Sequence, residues 1–282
     1  MNVQQALFLG KKELKQCGIE SCALDAELLL MKATAFTKVQ LYTKNDVELT
    51  QKQQKQYLYD IEQRKQYKPI QYITGICEFM GLPFVVNEGV LIPRPDTEIL
   101  VETVLQYHKQ YHFKKVVDVC TGTGCIAVSL AKYSDMSLCG IDISNTAIQT
   151  AQKNAKNNAV CVQWYLSDLF ENVPEQFLDN IEAVVCNPPY IATSEIQTLM
   201  PSVRNFEPHL ALNGGEDGYY FYKKIVKHLQ KHMKKNAFVF FEIGCEQSKQ
   251  VCELLQRYGF DHIAVRKDLA GLYRVVLGQK VY

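Results

Sequence analysis

The sequence has no excess of charge of either sign. Its 282 residues include 31 Lys and Arg against 30 Asp and Glu, which leaves a net charge of +1. This balance argues against a strongly cationic protein that binds nucleic acid through the phosphate backbone alone, although it is compatible with a local basic patch. The first 80 residues hold 11 basic and 9 acidic side chains, a charge of +2, which suits a small helical domain better than a basic nucleic-acid arm.

Long apolar runs and an export signal are also absent. The apolar run at 237–241 is far shorter than the ~20 residues that a membrane helix requires. No basic segment precedes the short apolar stretch at 6–9, so no signal peptide is visible. With 47% hydrophobic and 22% charged residues, the composition is typical of globular proteins. We therefore expect a soluble, cytoplasmic protein without a membrane partner.

No Cys-x-x-Cys motif occurs among the ten cysteines. Cys120, Cys139 and Cys186 lie in apolar, strand-like runs, where a free cysteine packs as a small hydrophobic side chain, and we expect the cysteines to be reduced. The histidine pairs at 108/112 and 228/232 have helical spacing, but no third ligand is near them in sequence. We therefore predict no metal site.

Periodicity divides the chain into three parts. Residues 1–69 read as helices, with Thr50 as a candidate cap. Residues 70–92 alternate apolar and polar side chains between glycines and prolines, which predicts a β-hairpin linker. From 93 to 282, strand-like and helical runs alternate, which predicts an α/β domain with a mostly parallel, Rossmann-like sheet covered by helices on both faces.

Four successive predicted strands end in chemically distinctive residues, and in such a sheet these ends meet in one crevice. The first is followed by the loop Thr121-Gly122-Thr123-Gly124, where glycine lets the backbone approach a ligand. The second ends at Asp142, whose carboxylate can accept both hydroxyls of a ribose. Both NAD and S-adenosylmethionine contain that ribose. A tight turn without a ligand and a helix cap at Asp142 are the alternatives.

The third and fourth strand ends extend the candidate site. Asp168 can accept an adenine amino group while Leu169 or Phe170 covers the ring, although an isolated Asp after a strand is more often a turn residue. The fourth end, Asn187-Pro188-Pro189-Tyr190, is the most specific. Its prolines lack a backbone N–H and stiffen the turn, so that the Asn187 side-chain oxygen and the Pro188 carbonyl form a fixed pair of acceptors. That pair suits a planar NH2 group, on which the Tyr190 ring can stack. A proline turn without a ligand is the alternative.

This combination resembles the class I S-adenosylmethionine-dependent methyltransferases that methylate planar nitrogens. Within them, the chain is similar to the peptide chain release factor glutamine N5-methyltransferases over nearly its whole length. The segments that carry the resemblance follow in the same order: Pro69–Gly75, Leu91–Glu98, Thr121–Gly124, Asn187–Ile191 and Gly214–Gly218. The resemblance implies transfer of a methyl group to the Gln of the Gly-Gly-Gln motif in release factors, with S-adenosylhomocysteine as the second product.

The resemblance also implies roles for individual residues. Cofactor contacts fall on Thr121–Gly124, Asp142 and Asn187, and substrate contacts on Asn187–Tyr190, with Asn187, Pro188 and Tyr190 catalytic. Cys120, Asp168 and Leu169 join the cofactor set by position. Two residues depart from the family pattern: Cys120 stands where relatives usually have Gly, and Leu169 where they often have an aromatic, which weakens the adenine stacking or shifts it to Phe170.

Three other functions fit parts of the pattern. An adenine-N6 methyltransferase for DNA or RNA uses the same chemistry on a flipped base. Such enzymes usually need a sizeable cationic surface, whereas the N-terminal region carries a charge of only +2, and the motif at 69–98 also argues against this function. An oxidoreductase explains the glycine loop but leaves Asn187–Tyr190 without a role. A non-catalytic adaptor has no need of the polar groups expected in the crevice. We therefore expect release factors as protein partners and no direct nucleic-acid binding.

Overall fold

The computed structural model describes residues 1–281, with the backbone alone for Gln176 and Lys231. Tyr282, the last residue of the predicted catalytic domain, lies outside the described residues. The helices are α1 (Val3–Gln16), α2 (Cys22–Thr34), α3 (Lys38–Thr43), α4 (Gln51–Lys65), α5 (Ile70–Thr74), α6 (Glu98–Tyr111), α7 (Cys125–Tyr133), α8 (Asn145–Asn157), α9 (Glu175–Leu178), α10 (Pro201–Arg204), α11 (Tyr220–His232) and α12 (Ser248–Arg257). The strands are β1 (Ile76–Phe79), β2 (Leu82–Val85), β3 (Lys115–Val119), β4 (Ser137–Asp142), β5 (Gln163–Leu166), β6 (Ile181–Cys186), β7 (Met233–Glu242), β8 (Phe260–Lys267) and β9 (Tyr273–Lys280).

The chain forms two compact units. The first contains Met1–Ile76 and Met200–Phe206, and the second contains Cys77–Leu199 and the segment from Glu207 onward. Among the described residues, no helix combines the length and the apolar character that a membrane crossing requires.

The first unit is helical. Three of its helices begin with a capping box. The side chain of Asn2, Thr37 or Thr50 accepts the backbone N–H of a glutamine three residues on, and the side chain of that glutamine accepts the backbone N–H of the cap residue. Apolar side chains of α1, α2 and α4 form its core. Tyr57 is fully buried there and donates its hydroxyl to the Ala6 carbonyl oxygen at 3.1 Å.

The hairpin expected over 70–92 is shorter than predicted. Residues 70–74 form α5, which follows Pro69 and ends at Gly75 with φ +78°. Ile70 and Ile73, three residues apart, pack on the core of the helical unit, so that the local period is helical. Only β1 and β2 form the hairpin. The buried rings of Phe79 and Phe84 pack with α6 and α7 in the second unit.

The second unit is built on a seven-stranded sheet with the order β5-β4-β3-β6-β7-β9-β8. The neighbours from β5 to β7 pair in parallel, and β9 is antiparallel to both β7 and β8. One apolar cluster packs α11 and α12 against the sheet and another packs α6 and α7. The predicted mostly parallel α/β sheet is confirmed. Because the chain runs from β3 to β4 and β5 on one side and returns to β6 on the other, the strand order reverses between β3 and β6, where such sheets bind ligands.

Candidate active site

A crevice opens at the carboxyl ends of β3, β4 and β6. Its volume is about 310 Å³, within the range of small-molecule sites. The structure brings most of the predicted site residues together along its wall: Cys120, Thr121, Gly122, Thr123, Asp142, Asp168, Leu169, Asn187 and Pro189. Three others lie outside the lining residues: Gly124, Pro188 and Tyr190.

The loop after β3 turns through residues with positive φ. Cys120 has φ +60°, Gly122 +56° and Gly124 +77°. A side chain at Gly122 would be strained by this φ, although the space around it is open. The Thr121 N–H donates to the Ile141 carbonyl oxygen at 2.9 Å, which ties the loop to β4. The positive φ values and the hydrogen bond to β4 therefore hold the backbone of this loop beside the crevice.

Asp118 supports this loop from within the sheet, a role that the sequence reasoning missed. Its side chain is fully buried, and one carboxylate oxygen accepts the Thr121 hydroxyl and the Ala127 N–H, the latter at 3.2 Å. Burial raises the pKa of Asp118 to about 7, opposed by these two hydrogen bonds. The sequence feature that could have identified Asp118 is a carboxylate inside the apolar run at 116–119.

The geometry of Asp142 suits a carboxylate that accepts the hydroxyls of a ribose. Its Oδ2 accepts the Gly122 N–H at 2.8 Å and its Oδ1 accepts the Ser144 N–H at 2.9 Å, and each oxygen keeps a lone pair for a hydroxyl. Burial raises the pKa of this carboxyl, opposed by the backbone N–H groups. The helix-cap alternative for Asp142 is wrong, because the Ser144 hydroxyl caps α8 by accepting the Ala147 N–H at 3.3 Å.

The end of β5 brings Asp168 and Leu169 to the crevice, with Leu169 at φ +48°. Phe170 does not reach it, so the suggestion that adenine stacking shifts to Phe170 is wrong. Its ring is buried in the apolar core between α11 and the sheet and stacks on His228 at 4.2 Å between centroids. The aromatic residues that line the crevice are Tyr220 and Phe221 of α11, which the sequence reasoning missed.

Asn187 lies on the crevice wall directly after β6. Its Nδ2 donates to the hydroxyl oxygen of Thr97 at 3.3 Å, so that Oδ1 is the side-chain atom that can accept from a ligand. The turn is held from behind, where Gln247 Nε2 donates to the Tyr190 carbonyl oxygen at 3.0 Å. A Cβ at Gly214 would lie 2.7 Å from Tyr190 Cα, so glycine is required for this close approach.

Tyr190 turns its hydroxyl toward the protein interior. It donates to Oε1 of Glu242 at 3.3 Å, and burial raises the pKa of the phenol. Glu242, the last residue of β7, is 2% exposed, and burial raises its pKa to about 7 while Thr97, Arg274 and Tyr190 oppose the rise. Sequence reasoning missed Glu242. Its one signal is a carboxylate that ends an apolar run.

The segment 89–94 supplies a further wall of the crevice. Arg94 forms an ion pair with the buried carboxylate of Glu207, which also accepts the Ile92 N–H at 3.4 Å. The sequence singled out this segment for its resemblance to a family without assigning it to the site.

The crevice residues fit S-adenosylmethionine, the cofactor that the resemblance implies. Asp142 offers one lone pair on each oxygen to a ribose diol. The positive-φ loop at 120–124 leaves the backbone close to a ligand, and Leu169 and Phe221 add apolar surface for an adenine ring.

Comparison with known proteins gives matches over both units. Residues 5–75 match the family described as PrmC N-terminal domain, and residues 94–214 match the family described as Methyltransferase small domain. The release factor glutamine methyltransferase of Clostridium acetobutylicum is 42% identical over 280 residues, which cover 98% of this chain and 98% of that protein. That of Clostridium botulinum is 38% identical over 284 residues, which cover 99% and 100%. A solved methyltransferase from Pyrococcus furiosus has the same fold, with a TM-score of 0.53 at 14% identity over 72% of this chain and 91% of that one.

Proposed function

The chain belongs to the release factor glutamine methyltransferase family, and we propose that it transfers a methyl group from S-adenosylmethionine to the side-chain amide nitrogen of the Gln in the Gly-Gly-Gln motif of peptide chain release factors. The observation that carries the proposal is the Asn187 amide, which donates through Nδ2 to Thr97 and leaves Oδ1 as an acceptor on the crevice wall. An acceptor in that place suits an incoming NH2 group rather than a carbonyl oxygen.

The positions of these residues in the crevice support the cofactor roles that we assign to them. When bound, S-adenosylmethionine supplies a methyl group carried on a positively charged sulfur. Asp142 accepts the ribose hydroxyls, the loop at 120–124 contributes backbone groups, Asp168 accepts the adenine amino group, and Leu169 covers the ring. The polar contacts of Asp142 with Gly122 and Ser144 keep the carboxylate in place for that task.

The substrate amide nitrogen is a weak nucleophile because its lone pair is delocalised into the carbonyl. Asn187 Oδ1, on the crevice wall, accepts one N–H of this amide. The family resemblance gives the second N–H to the carbonyl oxygen of Pro188, the next residue of the turn, and the two acceptors orient the nitrogen. Both acceptors also stabilise the positive charge that develops on the nitrogen during transfer. Pro189 lines the crevice beside Asn187, and Tyr190 anchors the rigid turn through its hydrogen bond to Glu242. No base is assigned, since the proton can leave after the new bond forms.

We assign recognition of the release factor to the helical domain predicted at 1–69 and catalysis to the domain at 93–282. The helical unit exposes large apolar side chains, among them Phe8, Val39 and Tyr59, which suit a protein surface. Its small net charge gives little attraction for a nucleic acid, which favours a protein substrate over the adenine-N6 alternative. Because release factors work in translation, the enzyme's place is the cytoplasm.

The test is the activity of Asn187→Ala with purified release factor and S-adenosylmethionine. We expect turnover to fall about 10²-fold, comparable to the loss of one oriented transition-state hydrogen bond. Asn180→Ala is the matched control, since Asn180 is exposed in the turn just before the same strand, β6. Equal activity of the two variants would show that Asn187 does not hold the reacting amide.

A further inference from the structure

The turn between β8 and β9 exposes apolar side chains to which the proposed chemistry gives no task. Residues 268–274 are referred to below as the β8–β9 turn. Its central residues, 269–273, are all exposed, and none of them is charged. Leu269 is fully exposed, and Leu272 and Tyr273 are 49% and 42% exposed. Single exposed apolar residues are common on protein surfaces, but a contiguous group of them indicates an interaction site.

Asp268 fixes the conformation of the β8–β9 turn. Its side chain is buried, and its Oδ1 accepts the Ala270 N–H at 3.0 Å and the Leu272 N–H at 2.9 Å. Its Oδ2 accepts Nη2 of Arg274 at 3.0 Å. The Asp268 N–H donates to the Leu272 carbonyl oxygen at 2.8 Å. Because a surface that is ordered before binding loses little conformational entropy when a partner covers it, the turn suits a binding role.

The sheet places the β8–β9 turn at the same edge as the crevice. In the parallel pair of β6 and β7, Cys186 lies opposite Phe241, and in the antiparallel pair of β7 and β9, Glu242 lies opposite Val275. The start of β9 therefore lies at the edge where Asn187 follows β6. Since β9 is two strands away from β6, the base of the turn lies about 10 Å from Asn187 across the sheet.

Polar contacts connect the β8–β9 turn to the wall of the crevice. The Arg274 guanidinium pairs with Asp268 at 3.0 Å and with Oδ2 of Asp96 at 3.3 Å. Thr97, the residue after Asp96, accepts Nδ2 of Asn187 at its hydroxyl oxygen, at 3.3 Å. The apolar surface of the turn is therefore continuous with the segment that holds the proposed acceptor of the substrate amide.

A protein that inserts a glutamine into the crevice must also cover the surface around it. A standard protein interface buries about 800 Å² on each partner, which corresponds to a disc with a radius of roughly 16 Å. The base of the β8–β9 turn, at about 10 Å from Asn187, lies inside that area. The two charged residues of the turn, Asp268 and Arg274, pair with each other. The turn therefore offers little attraction for phosphate groups and suits an apolar protein surface.

We propose that the β8–β9 turn is a docking surface for the protein substrate, in which Leu269 packs into an apolar patch beside the Gly-Gly-Gln motif. The inference rests on the proposed function, because it concerns the same substrate. The turn supplies affinity for the release factor and takes no part in the chemistry. Changes in it therefore act on binding of the release factor, and methyl transfer and cofactor binding stay as they are.

The first test measures kcat and both KM values with purified release factor for Leu269→Ser, Leu272→Ser and Leu269→Met. We expect Leu269→Ser to raise the KM for the release factor about tenfold, the size expected for one leucine that is largely buried on binding. The value of kcat and the KM for S-adenosylmethionine should stay near those of the wild type. Leu272→Ser should raise the KM for the release factor by a smaller factor, since less of that side chain is exposed.

Leu269→Met is the matched control, because methionine keeps an apolar side chain of similar volume. It should keep the KM of the wild type for the release factor. Since the Leu269 side chain is fully exposed in the free enzyme, its substitution should leave the thermal unfolding midpoint unchanged.

The second test identifies what covers the β8–β9 turn. A photoreactive amino acid is placed at position 269 of the full chain, which is irradiated with release factor and S-adenosylhomocysteine. We expect a cross-link to the release factor near its Gly-Gly-Gln motif, and the same yield when the glutamine of that motif is changed to alanine. The same amino acid at Asp261 should give none, since Asp261 is exposed near the opposite end of β8.

The outcomes are distinct. A wild-type KM for the release factor in both serine variants, a loss confined to kcat, or no cross-link from position 269 would overturn the docking role and leave the proposed function intact. Cross-linking to a second copy of the enzyme would assign the turn to self-association and would also overturn the docking role. Absence of methyl transfer by the wild type would instead overturn the proposed function, and docking of this substrate with it.

Discussion

Cys120 carries a backbone conformation that few side chains adopt. Its φ of +60° lies in the left-handed region, where a Cβ crowds the following carbonyl oxygen at a cost of about 1–2 kcal/mol. The side chain partly compensates, because it packs against the apolar core of the sheet. The start of the cofactor loop therefore combines local strain with a favourable apolar contact.

Replacing Cys120 by glycine should raise the free energy of unfolding by about 1 kcal/mol, because the left-handed strain is removed. Denaturant unfolding monitored by circular dichroism measures the change. Cys161→Gly is the matched control, since Cys161 is exposed and has no positive φ, and it should lose about 0.5 kcal/mol through the added freedom of the unfolded chain. Equal destabilisation of both variants would mean that Cys120 is unstrained.

At the scale of elements, α8 holds the hairpin and the cofactor loop together through one side chain. Asn154 is fully buried. Its Oδ1 accepts the Val85 N–H at 2.7 Å, and its Nδ2 donates to the carbonyl oxygens of Val85 at 3.0 Å and Thr123 at 2.9 Å. The hairpin that was predicted as a linker is therefore fastened to the wall of the crevice.

Asn154→Ala should lower the free energy of unfolding by about 3 kcal/mol, because it removes three hydrogen bonds to backbone groups, of which the bond to Thr123 is buried. It should also weaken binding of S-adenosylhomocysteine, measured by calorimetric titration, since Thr123 loses its support. The comparison variant is Asn158→Ala, which loses the bond to the Pro83 carbonyl oxygen but no bond to the loop. It should lose stability and keep its affinity. Equal affinities of the two variants for S-adenosylhomocysteine would show that Asn154 does not support the cofactor loop.

Local patterns predicted the elements well and the network behind the site poorly. Thr50 was predicted as a helix cap and is observed as the cap of α4, because a cap and the helix that it begins lie within a few residues. The same holds for the four strand ends at the crevice. By contrast, the hydrogen-bonded residues Thr97 and Asn187 are separated by 90 residues, and Tyr190 and Glu242 are separated by 52. No local pattern pairs them, since their contact depends on the order of strands in the sheet. Phe170 was misplaced for the same reason.

At the scale of the whole molecule, charge and architecture point to the same kind of substrate. The net charge of +1 gives no general attraction for nucleic-acid phosphates. The α/β unit holds a crevice suited to a cofactor and a planar NH2 group, and the helical unit exposes apolar side chains. These features fit a protein substrate whose reacting amide lies on a short exposed motif.

The most direct measurement is transfer of an isotope-labelled methyl group from S-adenosylmethionine to a purified release factor, beside a release factor whose Gly-Gly-Gln glutamine is changed to alanine. We expect label on the native factor alone, located on the glutamine side chain by peptide mass mapping. Label on neither factor, or equal label on both, would contradict the assignment of this glutamine as the substrate.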